Sequence, residues 1–149
     1  MFQERTINLN SVKLNYAEGP ASGPAVVFLH GIQANWNSLM PLLSVLGLRW
    51  HVYAVDFRGH GKSSWVTGHY KIEDYATDIV EFLSEVVQEQ PVIYGASLGV
   101  MVGIMVAALQ PKIVKALVVG DSLLYRDSVR NYISTFEGAT DREDLIRRI

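Results

Sequence analysis

The sequence predicts an α/β fold, a mostly parallel sheet with helices on both faces. Three observations predict it. Short apolar runs rich in β-branched residues alternate with segments of helical periodicity. Four of those runs, Ala25–Leu29, Val52–Val55, Val92–Tyr94 and Ala116–Val119, are apolar without alternation, as strands covered on both faces are. Each ends in glycine, histidine, serine or aspartate, at the strand end where open α/β sheets carry their ligands.

The elements follow in order. Gln3–Leu9 and Val12–Tyr16 alternate polar and apolar residues across an Asn10-Ser11 turn, which predicts an antiparallel pair with one wet face. A Gly- and Pro-rich loop over 18–24 leads into the strand Ala25–Leu29, which ends at His30-Gly31. Ser38–Leu46 has helical spacing, with Pro41 in its first turn. The strand Val52–Val55 runs into Asp56-Phe57-Arg58-Gly59-His60-Gly61-Lys62-Ser63-Ser64. An amphipathic helix over 72–87 buries Ile72, Tyr75, Ala76, Ile79, Val80, Leu83, Val86 and Val87. Glu73, Asp74, Asp78, Glu81 and Glu85 lie opposite.

Pro91 opens the strand that meets Gly95-Ala96-Ser97-Leu98-Gly99, and a second apolar run through Leu109 reads as a helix. With so little chain in which to turn, the central residue is held in a strained conformation with its hydroxyl presented at the strand end. Ser97 is therefore the candidate nucleophile. Gly-x-Ser-x-Gly alone arises by chance in roughly one chain in twenty of this length, so its setting between strand and helix carries the weight. Ala116–Val119 is the sixth strand, ending at Gly120-Asp121-Ser122. From Leu123 to Ile149 the chain is charged, with a capping box at Thr140-Asp141-Arg142-Glu143. That division gives a core over 1–122 and the start of a helical segment over 123–149.

Composition narrows the function. The 149 residues suit one domain, with 49% hydrophobic and 19% charged residues. A net charge of −2 from scattered charges offers no footprint for nucleic acid. The chain has no cysteine, which removes disulfides, thiolate metal sites and a cysteine nucleophile. His51, His60 and His69 lack the spacing and neighbours of a metal site, and Gly59-His60-Gly61-Lys62-Ser63 lacks the four-residue gap of a phosphate loop. The polar N-terminus and the shortness of Val100–Leu109 predict a cytoplasmic protein with no membrane partner.

With His30-Gly31 after the third strand, Asp-x-Arg-Gly-His-Gly-x-Ser after the fourth and Gly-Ala-Ser-Leu-Gly after the fifth, the chain resembles the N-terminal part of an α/β-hydrolase-fold serine hydrolase over 3–121. The resemblance implies a backbone oxyanion hole from Leu98 and Ile32, with His30, Gly31 and Gln33 lining the substrate site. His30 is expected to shape its loop more than to exchange protons, and Asp56 and Arg58 to satisfy local backbone groups. Gln33 stands where epoxide hydrolases commonly carry proline, and a serine nucleophile points away from the branches that use aspartate.

Chain order in this family is serine, acid, histidine. No histidine follows Ser97, and Asp121 is either the triad acid or a residue at the pocket floor or cap hinge. The expectation is a serine hydrolase cut after its sixth strand and the start of its cap, with the catalytic histidine beyond Ile149. Esterase, lipase-like, lactonase and carbon–carbon hydrolase activities all fit, ester hydrolysis best, on a small-molecule substrate with no metal or organic cofactor. The other expectation is a non-catalytic binding module or inactive fragment. Ala116–Val119, apolar on both faces yet last in the sheet, predicts that the chain either joins a C-terminal continuation or self-associates through that edge.

Overall fold

In the computed structural model, residues 1–120 are described. They form one six-stranded sheet. Its strands are β1 (Gln3–Asn8), β2 (Lys13–Glu18), β3 (Ala25–Leu29), β4 (His51–Val55), β5 (Val92–Gly95) and β6 (Ala116–Val119), in the order β1-β2-β4-β3-β5-β6. The pairings β1/β2 and β2/β4 are antiparallel, and β4/β3, β3/β5 and β5/β6 are parallel. This is the α/β architecture expected from the strand–helix alternation.

Strand pleating divides the apolar residues between two layers. Val26, Phe28, Val52 and Ala54 face α1 (Met40–Leu46), which contributes Leu43, Met40 and Leu46 and carries Pro41 in its first turn. Val27, Leu29, Tyr53, Val55 and Ile93 face the opposite layer, with α2 (Ile72–Phe82) and α3 (Leu98–Leu109). The connection leaving β3 therefore crosses one face, and the helix leaving β5 crosses the other. Between those neighbouring strands the chain reverses direction across the sheet, the arrangement that opens a crevice at the strands' carboxyl ends.

Two local expectations are corrected. The helix over 72–87 is α-helical only to Phe82. Leu83–Val87 winds as one π turn, closed by left-handed Gln88 (φ 58°), whose N–H donates to Leu83 O at 2.9 Å. β2 has no wet face: Leu14 and Tyr16 point into one layer, while Asn15 and Ala17 are 2% and 0% exposed on the other. It lies between β1 and β4, and the loop after β4 covers its polar side. As expected of the last strand, β6 borders the sheet among the described residues and is largely exposed there, with Val118 at 45% and Val119 at 47%. Among these residues no helix is long and apolar enough to cross a membrane.

Candidate active site

Ser97 sits at the carboxyl end of β5, in the residue between strand and helix, and its side chain is exposed. Its backbone lies at φ 51°, ψ −111°, a region that L-residues rarely enter. Such strain costs on the order of 1–3 kcal/mol and persists only where the surroundings over-determine it. They do so here. The Ala96 N–H donates to Leu29 O at 3.0 Å, and the Gly99 and Val100 amides donate to Ala96 O and Ser97 O at 2.9 Å each. A Cβ on Gly99 would collide with the Leu29 carbonyl, and one on Gly95 would lie 2.5 Å from Gly99 O. The two glycines let strand and helix approach to backbone contact, and that approach forces the turn. The Leu98 amide heads α3, ahead of the first bonded amides, where a helix has donors to offer.

The loop after β3 reaches the same place. A Cβ built on Gly31 would lie 3.3 Å from Ser97 Cβ. Ile32 follows, partly buried against the core, and then Gln33, exposed and left-handed at φ 58°. The structure thus brings Gly31 to Ser97, with Ile32 and Gln33 on the adjoining turn.

His30 is in a different position from the one expected of a substrate contact. It has no exposed surface, because its ring lies beneath the loop. Its Nδ1–H donates to Gly31 O at 2.6 Å and its Nε2 accepts the Phe57 N–H at 3.1 Å, partners that fix the neutral tautomer. Burial, reinforced by neighbouring His60, pulls its pKa down to about 3. The loop-shaping role is the one its contacts support.

The loop after β4 holds a buried polar network. Asp56, 1% exposed, accepts the Trp36 N–H at 2.7 Å, the Lys62 N–H at 3.0 Å and the Asn15 side-chain amide at 2.8 Å. Arg58 does more than the local backbone bonding expected of it. Its Nε and Nη2 form a bidentate pair with Asp78 at 2.7 and 2.6 Å, and its remaining donors reach His69 O and Ser11 Oγ at 3.0 Å. Burial raises the pKa of Asp78 against the opposing pull of the Arg58 guanidinium. Asp78 is therefore a core residue of α2 and not part of its solvated face. The signal was in the sequence: Tyr75, Asp78, Ile79 and Phe82 fall at i, i+3, i+4 and i+7, one stripe of a helix. No comparable signal marks Asn15 or the Trp36 amide, whose partners are distant in the chain.

The other histidines lie away from Ser97 or are engaged elsewhere. His51 is at the opposite end of β4 with Glu18 and Tyr53, His69 is 3.9 Å from Asp74, and His60 is buried with its Nδ1–H on Arg58 O. Asp121 and the segment 123–149 lie outside the described residues.

Comparison with known proteins gives the following. The sequence profile of a family described as alpha/beta hydrolase fold matches residues 24–143. The chain is 34% identical over 124 residues to a 2-(acetamidomethylene)succinate hydrolase of Mesorhizobium japonicum, covering 83% of this chain and 44% of that one. A 3-oxoadipate enol-lactonase 2 of Acinetobacter baylyi is 29% identical over 118 residues, covering 78% and 44%. The crystal structure of an E-2-(acetamidomethylene)succinate hydrolase superposes with a TM-score of 0.80 at 31% identity, covering 90% of this chain and 52% of that chain. The chain spans about half the length of these proteins.

Proposed function

The chain belongs to the alpha/beta hydrolase fold family, and from that premise we propose that it is the nucleophile-bearing part of a serine hydrolase acting on a carboxylic ester or a related acyl compound. One observation carries the reading: Ser97 is exposed and backbone-strained at the strand end where the loops after β3 and β5 meet. The relatives described above are hydrolases, among them one named as a lactonase, which supports hydrolytic chemistry at an acyl carbon.

In this reading Ser97 Oγ attacks the acyl carbon while its proton passes to a histidine base. The carbonyl oxygen becomes an oxyanion held by the Leu98 and Ile32 amides. The base returns the proton to the leaving alkoxide, and water then attacks the acyl-enzyme by the same route. A backbone donor needs no particular side chain, which is why ordinary apolar residues stand at positions 98 and 32. One such donor is worth ~10²–10³ in rate. The proposal assigns the base to the length that the relatives have and these 149 residues do not span. Asp121 is the acid or a pocket residue beside it.

The test is labelling by a fluorophosphonate of the protein that carries these residues and continues past Ile149. Labelling abolished by Ser97→Ala is the expected result, and labelling that persists in that variant overturns the assignment. The 149-residue chain alone is expected to turn over ~10⁶-fold more slowly, the loss measured when a serine hydrolase loses its base. The other reading is a non-catalytic small-molecule binding module. Ligand binding by the longer protein without Ser97 labelling would select it. The apolar border at β6 supports association with a continuation of the chain or with a second copy, the latter read as elution of the 149-residue chain earlier than a 16.6 kDa monomer.

A further inference from the structure

We propose that Asp56 is a positioning residue for the oxyanion hole, acting through the loop from His30 to Trp36. The inference rests on the reading of Ile32 and Leu98 as the oxyanion donors.

Two consecutive residues after β4 clasp this loop at both ends. At its start, the Phe57 N–H donates to His30 Nε2 at 3.1 Å, and the other face of that ring holds Gly31 O at 2.6 Å. At its end, Asp56 Oδ1 accepts the Trp36 N–H at 2.7 Å. Between the clasps lie Gly31, Ile32 and Gln33, and Gln33 keeps a left-handed backbone without being glycine. A non-glycine residue remains there only where its surroundings impose it.

Asp56 is itself fixed from every side. Its N–H donates to Asn15 O at 2.9 Å, and its carbonyl accepts Ser63 Oγ–H at 2.7 Å. Its second carboxylate oxygen accepts from Asn15 Nδ2 and the Lys62 amide. A Cβ on Gly61 would overlap the Asp56 carboxylate, so the following turn is shaped around that group. Of the five hydrogen bonds that Asp56 makes, three end on its carboxylate and four are unrelated to the loop from His30 to Trp36. The result is a rigid anchor in the sheet with one arm on the loop. If the arm is released, the loop's far end keeps only the Trp36 side-chain contacts and the Asn35 cap, its backbone loses its tie to the sheet, and the Ile32 amide can drift from the place that Leu98 complements. A displacement of about 1 Å at a catalytic donor costs about 10²-fold in rate.

The experiment uses the hydrolytically active protein containing residues 1–149, with Asp56→Asn and Asp56→Ala. In the folded variants kcat for ester hydrolysis is expected to fall about 10²-fold while KM moves less than about threefold. Affinity for a trifluoromethyl ketone, whose hemiketal oxyanion on Ser97 needs the same donors, is expected to fall in step with kcat/KM. Asn15→Ala removes a different partner of Asp56 and is expected to lower Tm with kcat within about threefold. An unchanged kcat in folded Asp56→Asn, or a lower kcat with full affinity for the ketone, overturns the positioning role. Should both Asp56 variants fail to fold, amide exchange in the unmodified protein decides: protection of the Trp36 amide supports the clasp, and exchange at the rate of an open amide overturns it. Ester turnover that survives Ser97→Ala would instead remove the catalytic reading beneath the proposal. Turnover that needs Ser97 but ignores Asp56 removes the positioning role alone.

Discussion

Gly31 and Ser97 face each other across the ends of two neighbouring parallel strands, so closely that a Cβ on Gly31 would lie 3.3 Å from that of Ser97. The hydroxyl proposed to react therefore looks onto bare backbone. Gly31→Val places two methyl groups over it. We expect labelling of Ser97 by a fluorophosphonate to slow by at least about tenfold, with Gly31→Ala nearer to the parent and Tm little changed in either. Equal labelling rates in all three proteins would show that the reagent approaches from elsewhere.

Gly99→Ala tests the turn itself. The new methyl meets the Leu29 carbonyl, which is committed to the Ala96 N–H and has no freedom to yield. The expected cost is about 3 kcal/mol in urea unfolding, at the upper end for overpacking. Stability within about 0.5 kcal/mol of the parent would contradict the packing of β3 against α3.

The buried pair of Arg58 and Asp78 predicts a non-additive double mutant. Asp78→Ala strands a guanidinium that is 2% exposed and should cost about 3–5 kcal/mol. Replacing both partners with apolar residues, Arg58→Met with Asp78→Leu, should cost less than the single change. Denaturant unfolding of the three variants measures the coupling, and additive losses would argue that the pair is not desolvated.

His30 predicts a pH dependence of stability. Its pKa falls from 6.5 to about 3 on folding, so between those values the unfolded chain binds the additional proton. The contribution of His30 is complete above pH 6.5 and is lost progressively as pH drops toward 3, on the order of 5 kcal/mol in all. His30→Gln should flatten this part of the profile when unfolding free energies at pH 7 and pH 4.5 are compared. The same slope in variant and parent would assign the effect to other groups.

Much of this was legible because it is local. Apolar runs and helical spacing identify the strands and helices, and Gly95, Ser97 and Gly99 require the strained turn from spacing alone. Asp78 was misread because its charge outweighed its position on the apolar stripe of α2. The buried face of β2 was missed since only the tertiary fold places Asn15 beneath the loop after β4. For the same reason nothing in the sequence announces that Asp56 holds the Trp36 amide. A carboxylate names its chemistry, but a backbone donor twenty residues away leaves no mark in composition or period.

The order of the sheet also bears on how the protein acquires its site. β3 pairs on one side with β4 and on the other with β5, Val26 lying beside Val92. Until the chain through Gly95 has been made, one flank of β3 has no partner, and Leu29 O has no Ala96 N–H to receive. Closing so long a loop is entropically slow, and parallel pairings of this kind lie at the slow end of folding rates. Neither the Ser97 turn nor its juxtaposition with Gly31 exists before that closure. During synthesis on the ribosome the central strand must therefore wait with exposed apolar residues, and the Ser97 turn forms only once the chain through Val100 has emerged.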